Sequence, residues 1–339
     1  MKKHAKAAAA VFSCVLLLSA LIFDAKDMTA EIIKAVEVCL YTIIPALFGF
    51  MAISTYLLKS GLYRFIFRPL YLIFRHIIRL SEEEFGIFLL SLFGGYPVGA
   101  KLISSGSSDM VNKNLLAFCY CPSPGFVISI VGIGIFSNAR LGAAVYLSNL
   151  ISCVLIAVFL NIKNKKITNE LKNSSVQLSG DVFISSVLSA SSALFTVCAV
   201  VVAFGVIGGT LRFLGLRYEF IFAVLEISSA ARFAPVLSNL PLLAALFSTG
   251  GICILTQINA LVSGKFPLKR FFLWRIPAAL LSSIICKLII TFFDFTTYVT
   301  VSTKNVIIPT NAGNPIASVS LLIMAVILIK TADEKREFN

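Results

Sequence analysis

The residues of this chain best suited to chemistry are polar groups stranded in apolar sequence. Glu226 lies in VLEISSAARF, Lys101 in GGYPVGAKL, and Gln257 and Asn259 at the end of STGGICILTQIN. An ionisable side chain at membrane depth is costly, so it faces a partner or a watered cavity. Glu226 therefore has two readings: a contact for a substrate or ion, or one half of a pair that locks the bundle. Lys101 is the first candidate partner, because both residues adjoin breaks in apolar sequence. Arg232 competes, although it lies off the helical face of Glu226. Ser228 and Ser229 read first as small residues for helix packing. Lys287 reads as a snorkelling cation or a local pair.

The breaks beside these groups are the most informative feature of the chain. SLFGGYPVGAKLISSG, Ser91 to Gly106, opens as a membrane-grade apolar run and is then interrupted by Gly94, Gly95, Gly99 and Pro97. Glycine frees the backbone, and proline removes a donor and clashes with the preceding turn. Unpaired backbone groups survive in hydrocarbon only where protein or a watered cavity covers them. Transporters build substrate sites from such discontinuous helices.

Other chemistries find little support. The two histidines are His4, in the amino-terminal tail, and His76. There is no phosphate-loop string, no H-E-x-x-H and no G-x-S-x-G. An intramembrane enzyme would need a paired acid or nucleophile, and none is visible, so no enzyme activity is expected. Six of the eight cysteines fall in apolar runs, where a thiol behaves as a small hydrophobe. Cys119 and Cys121 are too closely spaced for a zinc ribbon and have no histidine nearby. No metal or cofactor is expected.

Composition sets these groups in a membrane protein. Of 339 residues, 58% are apolar and 13% charged, against about a quarter charged in soluble domains. The net charge of +13 could point to nucleic acid. The cations instead sit at the ends of apolar runs, as topology signals and contacts to anionic lipid heads do. The length allows roughly eight to ten spans.

Along the chain, Ala7 to Phe23 reads as a retained first helix, because it is long for a signal peptide and no small-x-small cleavage site follows. Ala35 to Leu58 is a second span with Pro45 at its middle. Tyr63 to Leu80 is apolar with Arg64, Arg68, Arg75, His76 and Arg79 at near-helical spacing, which predicts a helix lying in the interface. Ser81 to Glu84 reads as a capping box. Leu115 to Phe136 is expected as a span with an irregular start at Cys119 to Gly125. Further spans are expected at Leu141 to Ile162, Val187 to Leu211, Phe271 to Phe293 and Ile316 to Ile329. Glu219 to Val262 is a long, broken apolar stretch. The lysine-rich loop Asn161 to Gly180 should stay inside. With the amino terminus also inside, the count works only if Phe85 to Gly106 enters and leaves on one side, as a re-entrant hairpin.

An internal repeat is visible. Leu40, Thr42, Ile53, Leu57, Gly61 and Leu62 meet Leu194, Thr196, Ile207, Leu211, Gly215 and Leu216 at one offset. After two residues of slip, Gly94-Gly95 meets Gly250-Gly251 and Lys101 meets Gln257.

The strings GGYPVGAKL, CPSPGFVISIVGIGIF, LEISSA and STGGICILTQ resemble, in that order, the motifs of the sporulation integral membrane protein YlbJ family, within the nucleoside-recognition or Gate-domain membrane proteins. That family usually shows an Asn-Ser-Gly-Pro-like string where this chain reads Cys121-Pro122-Ser123-Pro124-Gly125. The resemblance implies a role in endospore formation, in spore cortex assembly, and a place in the cytoplasmic membrane of a sporulating Gram-positive cell. It also implies kinship with the gates of nucleoside transporters and ferrous iron importers.

The expected fold is all-α: a polytopic integral membrane protein of two related Gate-like halves with re-entrant or broken helices. An amino-terminal helix and loop (1–30) precede the first half with its basic linker (31–180). The second half with a last span (181–329) and a tail (330–339) follow. The expected function is a permease in sporulation, for a nucleoside-like or small polar solute. The alternative is a non-transporting scaffold for sporulation machinery. The candidate substrate-binding set is Gly94, Gly95, Tyr96, Pro97, Gly99, Lys101, Ser123, Glu226, Ser228, Gln257 and Asn259. The expected partners are the lipid bilayer and a small-molecule or ion substrate, with a homo-oligomer left open and nucleic acid excluded.

Overall fold

In hydrocarbon a chain must satisfy its backbone internally, and helices do so within each segment. The computed structural model describes residues 2–106, 112–162, 176–216, 219–227, 239–262 and 268–293, and every regular element among them is helical. Six helices there are long and apolar enough to cross a membrane: Lys6–Phe23, Ala25–Ser60, Ala139–Asn161, Gly180–Phe213, Leu240–Val262 and Leu268–Phe292. Large apolar side chains such as Phe12, Phe195, Leu273 and Ile276 point outward from these helices. That outer surface suits lipid rather than water.

Helix α1 (Lys2–Phe23) is followed by α2 (Ala25–Val38), a π-helical turn (Cys39–Ile43) and α3 (Ile44–Ser60). Pro45 does not break this run. It occupies the first turn of α3, where its missing donor costs least, and the wider π turn before it makes room for the ring. Gly61, at φ 80°, ends α3 in the left-handed region.

The expected interfacial helix is α4 (Tyr63–Ile78). Tyr63, Tyr71 and Ile78 face the protein, and Ile66, Leu70, Ile73 and Ile77 form an exposed apolar stripe. The predicted capping box opens α5 (Glu82–Gly94). Ser81 Oγ accepts from the Glu84 N–H at 3.3 Å, and Glu84 Oε2 accepts from the Ser81 N–H at 3.1 Å.

Gly95 separates α5 from α6 (Tyr96–Ser105). The expected span over 115–136 is corrected. It is a one-turn helix, α7 (Leu115–Phe118), then an irregular link, then a π-helix of 11 residues (Gly125–Ile135), too short to cross. Pro122 and Pro124 lie in the link, where their missing donors and steric demands prevent one continuous helix.

Next come α8 (Ala139–Asn161), α9 (Gly180–Phe213) and α10 (Glu219–Leu225). The broken pair α11 (Leu240–Thr249) and α12 (Gly251–Val262) precedes α13 (Leu268–Phe292). The expected span 316–329, the basic loop 163–172, and Ser228, Ser229 and Arg232 lie outside the described residues.

Helices α8, α11 and α13 pack as a trio joined by small polar groups. Asn149 Nδ2 donates to the Ala244 carbonyl at 3.3 Å, Ser282 Oγ to the same carbonyl at 3.2 Å, and Ser152 Oγ to the Ala278 carbonyl at 3.1 Å. The two stretches aligned as a repeat, 40–62 and 194–216, fall largely on α3 and α9, which pack together. The two breaks bring α6 beside α12.

Candidate functional site

The site begins with two backbone reversals. Gly95 has φ 91°, and Gly250 and Gly251 have φ 80° and 72°, values that L side chains rarely adopt. Below the first break, Pro97 sits in the opening turn of α6, and the Val98 N–H returns to the Gly95 carbonyl at 3.1 Å. At the second break, α11 stops and its last carbonyls need donors from elsewhere. Three side chains supply them on consecutive residues. Tyr96 Oη donates to the Phe247 carbonyl at 2.5 Å, Arg275 Nη1 to the Ser248 carbonyl at 3.3 Å, and Tyr120 Oη to the Thr249 carbonyl at 3.0 Å.

Between the breaks lies a cavity of about 140 Å³. The first break contributes Gly95, Tyr96 and Pro97, and the link before the second π-helix contributes Ser123. Helix α12 contributes Cys253, Ile254 and Gln257, and Glu226 and Ile227 follow α10. Thr42 and Ile43 of the first π turn and Val197 and Val201 of α9 complete much of the wall. Gln257 is only 4% exposed. Its Nε2 approaches Cys253 Sγ at 3.4 Å, and its carbonyl oxygen accepts no hydrogen bond from a described residue. Ser123 Oγ accepts from the Phe126 N–H at 3.3 Å and so caps the start of the π-helix. The amino-terminal ends of α6 and of that π-helix both abut the cavity, and such ends favour negative charge. A carboxylate, an amide and three hydroxyl-bearing side chains within an apolar wall can orient a small polar solute.

Six of the eleven candidate residues line this cavity: Gly95, Tyr96, Pro97, Ser123, Glu226 and Gln257. Gly94 and Gly99 are packed behind it, Gly94 against Phe50 and Gly99 against the backbone carbonyl of Cys119. Lys101 is not in the cavity wall. Its ammonium donates to Ser189 Oγ of α9 at 2.6 Å. Asn259 is exposed on α12, and Ser228 lies outside the described residues. Among the described residues no three His, Cys, Asp or Glu side chains are gathered as a metal site.

Sequence reasoning missed Arg275. It is 5% exposed, and its second terminal nitrogen donates to the Ala117 carbonyl, the last turn of α7. Its guanidinium lies 4.4 Å from the Tyr120 ring centre and 4.8 Å from that of Phe271. The signal was a lone cation in FFLWRIPAALL, a span otherwise apolar around it.

Helices α2, α9 and α10 also line a wider recess of about 740 Å³ that holds Asp24, Asp27, Glu31, Lys34, Arg212 and Phe222. Arg212 Nη1 meets Glu31 Oε1 at 2.5 Å, and its guanidinium stands 4.9 Å from the Phe222 ring centre.

No family model matches this chain, and no solved structure matches it. It is 30% identical over 117 residues to the sporulation integral membrane protein YlbJ of Bacillus subtilis (strain 168). The match covers 32% of this chain and spans 29% of the relative's length. The chain is a multi-pass membrane protein by its apolar helices, and this match supports the YlbJ resemblance that its motifs carry.

Proposed function

We propose that this protein is a permease for a small polar solute or ion, acting in the membrane during endospore formation. The observation that carries the reading is the cavity where both helix breaks meet, with Glu226 and the buried Gln257 in its wall. Broken helices beside a polar cavity are how transporters expose backbone ends to a substrate. At about 140 Å³ the cavity falls below the several hundred cubic ångströms of drug-sized sites. That favours a small solute over a whole nucleoside in this conformation. The name of the similar Bacillus protein supports the sporulation setting. Two Gate-like halves, each with a re-entrant segment, fit the side-by-side breaks. The site works by binding and release, without covalent chemistry.

A scaffold needs no open cavity, so filling the cavity separates the two readings. Ala46→Phe places a ring where a methyl group now lines the wall. In a sporulating host lacking its own copy, the variant should reach normal membrane abundance and fail to restore spore heat resistance. Full heat resistance from Ala46→Phe would establish the scaffold instead.

A further inference from the structure

We infer that Arg275 is a positioning residue that latches the end of α11 to the end of α7 and so holds the Gly250-Gly251 break, with the cavity wall beside it, in place. Its planar fork reaches in two directions, to the Ser248 carbonyl at the end of α11 and to the Ala117 carbonyl at the end of α7. A guanidinium offers several donors in one rigid planar fork, which a lysine ammonium does not. The cation also meets the negative end of the α11 dipole. Stacking against Tyr120 and Phe271 holds the plane in place, and Nε has no hydrogen-bond partner among the described residues, so the terminal nitrogens carry the contacts. Tyr96 and Tyr120 flank it on the neighbouring carbonyls, and their rings lie 4.5 Å apart. Tyr96 is itself cavity wall. Release of Arg275 therefore frees the end of α11, the Gly250-Gly251 break and one wall of the cavity together.

The role of the latch in transport rests on the permease reading, but its effect on cavity access does not, and native thiols report it. Cys253 lines the cavity and is 1% exposed, Cys286 is buried on α13 away from it, and Cys14 is exposed. The purified protein is treated with N-ethylmaleimide, and the modification rate at each cysteine is followed by peptide mass spectrometry. Arg275→Met should raise the Cys253 rate at least tenfold relative to Cys14 while Cys286 stays protected. Arg275→Lys, which can serve one carbonyl, should give an intermediate rate. Tyr120→Phe removes one flanking hydrogen bond while keeping the stack, and should raise the rate about threefold. If Arg275→Met does not fold, Arg275→Lys and Tyr120→Phe carry the same comparison. An unchanged Cys253 rate, or equal gains at Cys253 and Cys286, overturns the latch. A working latch in a protein that passes the Ala46→Phe test as a scaffold would sink the permease reading alone.

Discussion

Single atoms decide what the breaks tolerate. A side chain at Gly95 would have to adopt φ 91° and would sit against Ser123, with its Cβ 3.1 Å from that of the serine. Left-handed backbone costs an ordinary residue about 1–2 kcal/mol before any overlap. At Gly99 the obstacle is the Cys119 carbonyl, a backbone atom that cannot swing aside. Gly95→Leu and Gly99→Leu should both lower thermal stability and abolish spore heat resistance. At Gly132 a side chain would meet the backbone of Gly142 at 3.0 Å, so Gly132→Leu should be destabilising as well. Gly49 has open space around it, so Gly49→Leu should be tolerated. Equal melting temperatures for Gly95→Leu, Gly99→Leu and Gly49→Leu would mean the breaks are not close-packed. At Glu226 the question is charge rather than room. Glu226→Gln keeps the shape and hydrogen-bonding capacity of the side chain in the cavity wall. It should leave membrane abundance unchanged and abolish heat resistance, and full sporulation with both Glu226→Gln and Glu226→Ala would remove Glu226 from the site.

Elements carry the signals that local sequence writes most clearly. The Ser81 capping box was legible because its four residues close on themselves, needing no partner from elsewhere. Ser81→Ala removes the hydroxyl acceptor and should cost about 1 kcal/mol, read as a lower melting temperature in detergent. Helix α4 was legible for a related reason: its apolar and cationic residues recur at helical spacing, and the stripe of Ile66, Leu70, Ile73 and Ile77 faces outward. A tryptophan at Ile73 should be quenched by lipids brominated near the headgroup, and one at Arg68 much less. Trp274 is the single native tryptophan, so Trp274→Phe clears the background. Equal quenching at both positions would place α4 away from the interface. The π-helix at Gly125–Ile135 was not legible, since an apolar run looks the same whichever carbonyl each N–H selects.

At the scale of the whole molecule, the crossing count ties distant segments together. With 115–136 counted as a span, parity returns the stretch from α5 to α6 to the side it entered; without that span, a cytoplasmic basic loop beyond α8 requires the segments between α4 and α8 to cross once in sum. A cysteine at Lys165, in a background without native thiols, should resist an impermeant maleimide in intact cells and react once the membrane is opened. Labelling in intact cells would refute the loop assignment. The described helices include six long enough to cross, and the shortening of 115–136 to a one-turn helix and a π-helix alters the simple count of spans.

The sequence by itself determined that this chain lives in a membrane, where most of its long described helices run, and that Gly95 and Gly250-Gly251 interrupt them. Each of these follows from composition, period or backbone freedom, which are properties of neighbours along the chain. It also singled out Glu226 and Gln257, because polar groups in apolar runs are conspicuous one residue at a time. Only the tertiary structure decided which of them share a cavity. Lys101 turns to Ser189 on α9 instead of joining the cavity wall, and Asn259 turns outward although it is two residues from Gln257. Arg275 acquires its place only when α7, α11 and α13 meet, because the carbonyls it serves are 158 and 27 residues away in sequence. Such contacts depend on how helices cross, and crossing is set by the whole packed bundle.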